Sequence, residues 1–365
     1  MDIVTNRKLK ASVVGATGYV GQRFVTLLAE HPWFEIAAVT ASPRSRGKTY
    51  EEAVAGRWKM DRPVPENVAK LTVMGTDDVD RFCEQSDLVF CAVDMEKESL
   101  ISLEEAIATR EVPVISNNSA NRWTPDVPMV LPEVNADHLR LIDAQKKRLK
   151  TTRGFIVVKP NCSIQSYVPP LTPLLDYHPE YVFVATYQAI SGAGKTFADW
   201  PEMQENVIPF ISGEEEKSEL EPLKIWGEFA GDHIELAKRP IISAQCYRVA
   251  VLEGHTAAVF VKFRRSIDQN EILMRWREFS GLPQELDLPS APKPFLRYLD
   301  DYNRPQPAQD VMSRNGMGIS IGRLRDDPIY DYKFTCLSSN TLRGAAGGSI
   351  LTAELLLAQG YIDKH

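Results

Sequence analysis

The sequence predicts an α/β protein of two domains: a parallel sheet flanked by helices, then an α+β unit with a mostly antiparallel sheet. Three observations carry that prediction. Short apolar runs alternate with helical patterns through the first 158 residues, which is the pattern of a parallel sheet covered on both faces. A glycine-rich turn, Gly15-Ala16-Thr17-Gly18-Tyr19-Val20-Gly21, separates the first apolar run from the first helical pattern. From about residue 180 the strand-like runs lengthen, which suits strands with one face on a core and the other open.

Residues 8–14 read as a strand and residues 22–30 as a helix, with the glycine turn between them. Glycines at this spacing allow a tight turn, close approach of backbone to a pyrophosphate, and close packing of helix on strand. The first domain is therefore Rossmann-type, and Gly15, Thr17, Gly18, Tyr19, Val20 and Gly21 are candidate cofactor contacts. Residues 34–40 form the second strand. An NAD site usually has Asp or Glu near this strand's end, but the chain reads Ala41-Ser42-Pro43-Arg44-Ser45-Arg46. Hydroxyls and cations suit a 2′-phosphate, so the expected cofactor is NADP(H), with Ser42, Arg44 and Ser45 around that phosphate. A polar stretch at 50–69 precedes strands at 71–74 and 87–93, a helix at 96–110 and a strand at 112–116.

An apolar run from 154 then meets Pro160, Asn161-Cys162-Ser163 and a predicted helix start. A thiol at a helix N-terminus feels the positive end of the backbone dipole, which favours the nucleophilic thiolate. Cys162 is thus the candidate nucleophile. Strands follow at 181–190, 244–251 and 256–263. Arg248 and His255 flank a short strand, His255 at a glycine turn. Histidine suits general acid–base work and arginine a bidentate grip on a carboxylate. Residues 318–323 and 330–336 read as a hairpin, 348–358 as an apolar helix, and the Pro-rich stretches 288–295 and 304–307 as loops.

The chain has 365 residues, 44% hydrophobic and 25% charged, enough for two cores. Its net charge of −7 argues against nucleic acid and anionic membranes as partners. The five cysteines, at 83, 91, 162, 246 and 336, form no C-x-x-C pair and no zinc-spaced cluster. No metal is expected, Cys83, Cys91, Cys246 and Cys336 are read as packing residues, and a reducing compartment is implied. Residues 1–6 show no secretory or transit pattern. No apolar run reaches the ~18 residues of a membrane span. The expected location is cytoplasmic.

Several motifs in order resemble the aspartate-semialdehyde dehydrogenase family, in its archaeal and fungal branch. They are the glycine turn, residues 116–122 (Ser-Asn-Asn-Ser-Ala-Asn-Arg), Lys159 through Ser163, residues 188–194, Gly213 through Lys217, Arg248 through His255, Ser339-Asn340 and residues 344–348. The resemblance implies reduction of L-aspartyl 4-phosphate to L-aspartate 4-semialdehyde through a Cys162 thioester, with His255 as acid/base partner and Gln188 orienting substrate or water. It implies Arg248 on the substrate α-carboxylate, Glu214 on the α-ammonium, Arg122 and Lys217 on the phosphate, and Asn161 among the substrate contacts. Ser191, Gly192 and Asn340 would approach the nicotinamide. Residues 1–158 and 340–365 would form the NADP-binding domain, with the last helix returning to it. Residues 159–339 would form the catalytic and oligomerisation domain of a homotetramer, a dimer of dimers. An N-acetylglutamyl-phosphate reductase or a malonyl-CoA reductase shares the glycine turn and cysteine, and stays open as a rival. So does a non-catalytic NADP-binding regulator, which would not need Cys162, Gln188, Arg248 and His255.

Overall fold

A computed structural model describes residues 7–363. The reading of a leader-free start rests on residues 1–6, which lie outside the described residues, as do residues 364–365 at the end of the expected first domain.

Alternating runs in the first half build a six-stranded sheet. Its strands are β1 (Leu9–Val14), β2 (Phe34–Ala41), β3 (Met74–Gly75), β4 (Leu88–Cys91), β5 (Val114–Ser116) and β6 (Ile156–Val158), in the order β3-β2-β1-β4-β5-β6. Every neighbouring pair is parallel. Every residue of β4, β5 and β6 is buried, as continuous apolar runs require when helices cover both faces. The expected strand at 71–74 is reduced to Met74–Gly75, because Tyr50 and Val73 draw the backbone before it into hydrogen bonds with the 48–50 segment. The polar stretch after Thr49 contains a short helix, Tyr50–Val54, opened by a Thr49/Glu52 capping box.

The C-terminal helix, Gly347–Ala358, is buried on nearly all sides. Its Ile350, Leu351, Leu355 and Leu356 share a core with Val13, Phe24, Phe90 and Val157 of the first sheet and its helices. A helix apolar all round must sit inside a core, and this one closes the first sheet.

A seven-stranded sheet occupies the second half: β7 (Pro179–Gln188), β8 (Val207–Ile208), β11 (Ile241–Val249), β12 (His255–Phe263), β13 (Leu296–Leu299), β14 (Ile319–Asp326) and β15 (Tyr332–Ser338). Strands β9 (Glu228–Phe229) and β10 (Ile234–Glu235) form a separate small ladder. The large sheet runs β13-β14-β15-β12-β7-β11-β8. Its β11/β7 and β13/β14 pairs are parallel and the rest antiparallel. The alternation places Val182, Val184, Ile242, Val259 and Val261 on a core face. Tyr181, Tyr187 and Ile241 stand exposed on the other.

Candidate active site

Strand β6 delivers the chain to Lys159-Pro160-Asn161-Cys162 at the C-terminal edge of the parallel sheet. The helix start expected there is a 3-10 turn rather than a regular α-helix. Cys162 precedes a 3-10 turn, Ser163–Ser166, then a four-residue α-helix, Val168–Leu171, and another 3-10 turn, Thr172–Tyr177. Pro169, Pro170 and Pro173 remove amide donors and break the helical run into pieces. The helical run behind Cys162 is thus a chain of short pieces rather than one regular α-helix, which weakens the dipole expected to favour its thiolate. Burial pushes the Cys162 thiol above its ordinary value and Glu214 adds to this, while Lys159, Arg122 and Arg248 pull the other way.

His255 opens β12, 93 residues further along the chain, and its Nε2 lies 3.4 Å from Cys162 Sγ. Its Nδ1 accepts the Ala189 amide at 3.1 Å, and a neutral ring that accepts there carries its proton on Nε2, facing the sulfur. Burial first, and Arg248 second, push the ring's pKa down to about 3, so His255 is neutral at ordinary pH.

Arg248 and Gln188 are register partners on the parallel pair β11/β7. Arg248 Nη1 donates to the Ala189 carbonyl at 2.6 Å. A Cβ on Gly192 would lie 2.8 Å from Arg248 Nη1 and 3.0 Å from the His255 ring, so only glycine lets the 190–193 turn cross these two side chains. Gln188 Nε2 donates to Glu214 Oε2 at 3.2 Å.

The helix Glu214–Ile225 presents Glu214, Lys217 and Glu221 along one face, three and seven residues apart. Glu214 accepts from Asn161 Nδ2 and from Lys217 Nζ, each at 2.9 Å. Burial works to raise this carboxyl, yet the Lys217 ammonium and the Gln188 amide hold it below its ordinary value. Arg122 donates through Nη1 to Glu221 at 2.9 Å and through Nε to the Lys159 carbonyl at 3.0 Å. Arg122 and Lys217 line a cavity of about 360 Å³ together with Lys97, Trp123 and Glu216. The structure thus gathers Cys162, His255, Gln188, Asn161, Glu214 and Arg248 around one point, with Arg122 and Lys217 on the adjoining wall.

At the other end, Gly15 has φ +85°, and a Cβ there would sit 2.6 Å from the Ala92 carbonyl oxygen. A Cβ on Gly21 would reach 2.1 Å from the Gly15 oxygen, so the helix Tyr19–Leu28 packs directly on the turn. This helix has no side-chain cap at Gly18, which leaves its N-terminus facing out of the turn. These features fit a dinucleotide's pyrophosphate over Thr17, Gly18 and Val20. Ser42 and Arg44 are exposed beyond β2. Ser45 is buried and its hydroxyl accepts from Arg57 at 2.7 Å. The Tyr19 hydroxyl points away from the turn to Glu253. Asn340 uses both ends of its amide, donating to Ser191 Oγ and accepting the Gly254 amide, each at 2.8 Å.

Sequence reasoning missed four buried or half-buried groups. Lys159 is buried beside Cys162, its Nζ donates to the Pro160 carbonyl at 2.5 Å, and burial with Arg122 lowers its pKa to about 7. Glu104 accepts from Ser116 and Asn121 and so fixes the loop that carries Arg122. Glu221 and Glu253 are the others. Glu104 was detectable as a carboxylate inside the stripe Leu100, Leu103, Glu104, Ile107, and Glu221 as the position two turns after Glu214. Among the described residues no cluster could hold a metal ion, and no helix is long and apolar enough to cross a membrane.

Residues 10–142 match the family model described as semialdehyde dehydrogenase, NAD binding domain, and residues 171–343 match semialdehyde dehydrogenase, dimerisation domain. The aspartate-semialdehyde dehydrogenase of Archaeoglobus fulgidus is 42% identical over 97% of this chain and 100% of its own length. That of Schizosaccharomyces pombe is 39% identical over 97% and 99%. The crystal structure of the Candida albicans enzyme with NADP superposes with a TM-score of 0.85 at 35% identity, covering 98% of this chain and 100% of that one. Spanning both matched regions, and alike in sequence to archaeal and fungal relatives from end to end, the chain belongs to the aspartate-semialdehyde dehydrogenase family.

Proposed function

We propose that the chain is an NADP-dependent aspartate-semialdehyde dehydrogenase that reduces L-aspartyl 4-phosphate to L-aspartate 4-semialdehyde. The observation that carries this reading is the 3.4 Å contact between Cys162 Sγ and His255 Nε2, ringed by Arg248, Glu214 and Gln188. The substrate carries a carboxylate, an ammonium and a phosphate, and the site offers a complementary group for each.

Arg248 takes the α-carboxylate, because its planar fork matches two oxygens. Glu214, held ionised by Lys217, takes the α-ammonium. Arg122 and Lys217 take the phosphate, and the neighbouring cavity leaves that group room. Cys162 thiolate forms a C–S bond to the acyl carbon as the C–O bond to phosphate breaks, and inorganic phosphate leaves. His255, with its Nε2 proton facing the sulfur, donates a hydrogen bond to the thiolate as it is consumed and regenerated. NADPH, when bound over Thr17, Gly18 and Val20, would supply the hydride to the thioester carbonyl carbon. Breaking of the C–S bond then releases the aldehyde, with the thiolate as a good leaving group. Ser42 and Arg44 are the groups available to a 2′-phosphate. We place the enzyme in the cytoplasm, in keeping with its free cysteines, and assemble it as a homotetramer through the exposed face of the second sheet.

The test is NADP reduction by aspartate semialdehyde with and without inorganic phosphate. Turnover should require phosphate. Arg248→Lys keeps the charge but loses the fork, so it should impair the aldehyde strongly, while Arg122→Ala should raise the KM for phosphate more than that for aldehyde. Equal effects on both substrates would remove the division of roles. A wild-type enzyme that ignores aspartate semialdehyde but reduces malonyl-CoA would remove the function.

A further inference from the structure

Glu253 lies two residues before His255 and is none of the groups assigned to the substrate. Its carboxylate nevertheless draws three separate segments together. The Tyr19 hydroxyl donates to it at 2.9 Å and the Arg23 guanidinium pairs with it, from positions one turn apart on the helix that opens at the glycine turn. The Thr341 hydroxyl donates to it at 3.3 Å. Thr341 leads into the segment whose Gly344 packs against Cys162, so closely that a Cβ there would lie 2.7 Å from Cys162 Cβ. Glu253 itself leads directly into Gly254, at φ +104°, and His255.

The surroundings leave this junction little freedom. The Gly254 amide is held by Asn340, and the Ile190 and Ser191 amides are held by the carbonyls of Val251 and Leu252. Glu253 and Arg23 are each 16% exposed, so their attraction is only partly screened by water. Burial, reinforced by Glu253, raises the Tyr19 pKa to about 12, which keeps the phenol a donor at any working pH. A shift of the glycine-turn helix therefore pulls on the residue that leads into His255, and on Thr341 towards Cys162.

We infer that Glu253 is a positioning residue that couples occupancy of the glycine turn to the geometry of the Cys162–His255 pair. The inference rests on the cofactor reading above, since the occupant of the turn is taken to be a dinucleotide pyrophosphate. Coupling between two sites is reciprocal and is typically worth about 5- to 150-fold in affinity.

The probe is 2′-phospho-ADP-ribose, which carries the pyrophosphate and lacks the nicotinamide ring that would otherwise cover the sulfur. Its dissociation constant and its effect on the alkylation rate of Cys162 by iodoacetamide are measured for wild type, Glu253→Ala, Glu253→Gln and Tyr19→Phe. In wild type the bound probe should change the alkylation rate by at least about fivefold. In Glu253→Ala the probe should still bind, but the change should shrink to within about twofold. Tyr19→Phe, which removes one hydrogen bond and no charge, should fall between them, and Glu253→Gln should recover part of the effect. A purely structural role would lower the melting temperature and leave the probe's effect on alkylation intact, and that result overturns the inference. So does a wild-type protein that binds the probe without any change at Cys162. Failure of wild type to bind the probe at all sinks the cofactor reading first, and this inference with it.

Discussion

At Cys162 two influences oppose each other. Burial and the Glu214 carboxylate hold the proton on the thiol, while Lys159, Arg122 and Arg248 favour its loss. The first pair wins, so the resting thiol ionises above its ordinary value. His255 offers no imidazolium to form an ion pair, because burial and Arg248 keep it neutral down to about pH 3. The sign follows: a thiol with a raised pKa is protonated below that value, and its thiolate fraction grows with rising pH. Alkylation of the free enzyme at Cys162 should therefore climb about tenfold per pH unit across roughly pH 5 to 8, without a plateau. A flat rate over that window would mean a preformed thiolate and would contradict the balance described here. The residue types were legible in the chain: Cys162 after a strand, and Arg248 and His255 on one strand turn. Their meeting was not, because 93 residues separate Cys162 from His255 and only the docking of the second sheet on the β6 edge closes that distance.

The glycine turn and its helix form the clearest element. Strand, turn and helix were readable from order and spacing, and the helix starts at Tyr19, three residues earlier than periodicity placed it. The tightness of the contact was not readable. Gly21 meets the Gly15 carbonyl so closely that Gly21→Ala must push the helix off the turn. That variant should lose at least about tenfold in NADP affinity; titration by nucleotide fluorescence checks it. Overpacking of this kind also costs about 1–3 kcal/mol of stability. Unchanged NADP affinity would show that the helix does not need to sit on the turn. The helices Leu141–Leu149 and Gln269–Glu278 went unread for a physical reason. Both are short and mostly polar, with only Leu141, Ile142 and Gln145, or Ile272 and Trp276, buried, so their apolar stripes are too thin to stand out.

Across the whole molecule, the second sheet leaves one broad face without helices. Tyr187 and Tyr247 stack there at 5.7 Å, and Tyr181 and Ile241 pair in register on the same face, 44% and 51% exposed. An aromatic surface of this kind suits the interface of the proposed assembly, since closed symmetric assemblies are the general rule. Charging it with Tyr187→Arg and Ile241→Arg together should lower the sedimentation mass to that of a smaller species at micromolar protein, and wild type that sediments only as monomer would remove the assembly. Sequence pattern conveyed the division into a parallel and a mostly antiparallel unit, but not the return of β11 alongside β7 in parallel, which sets Arg248 beside Gln188. That pairing depends on a connection of more than fifty residues, and no local signal encodes it. The chemistry of the assembled site is tested most directly by trapping its covalent intermediate. Enzyme mixed with L-aspartyl 4-phosphate in the absence of NADPH, quenched in acid and digested for mass spectrometry, should carry one aspartyl group on the peptide containing Cys162, with one phosphate released per acylated chain. An adduct on another residue, or phosphate release that is equally fast in Cys162→Ala, would contradict a thioester at Cys162.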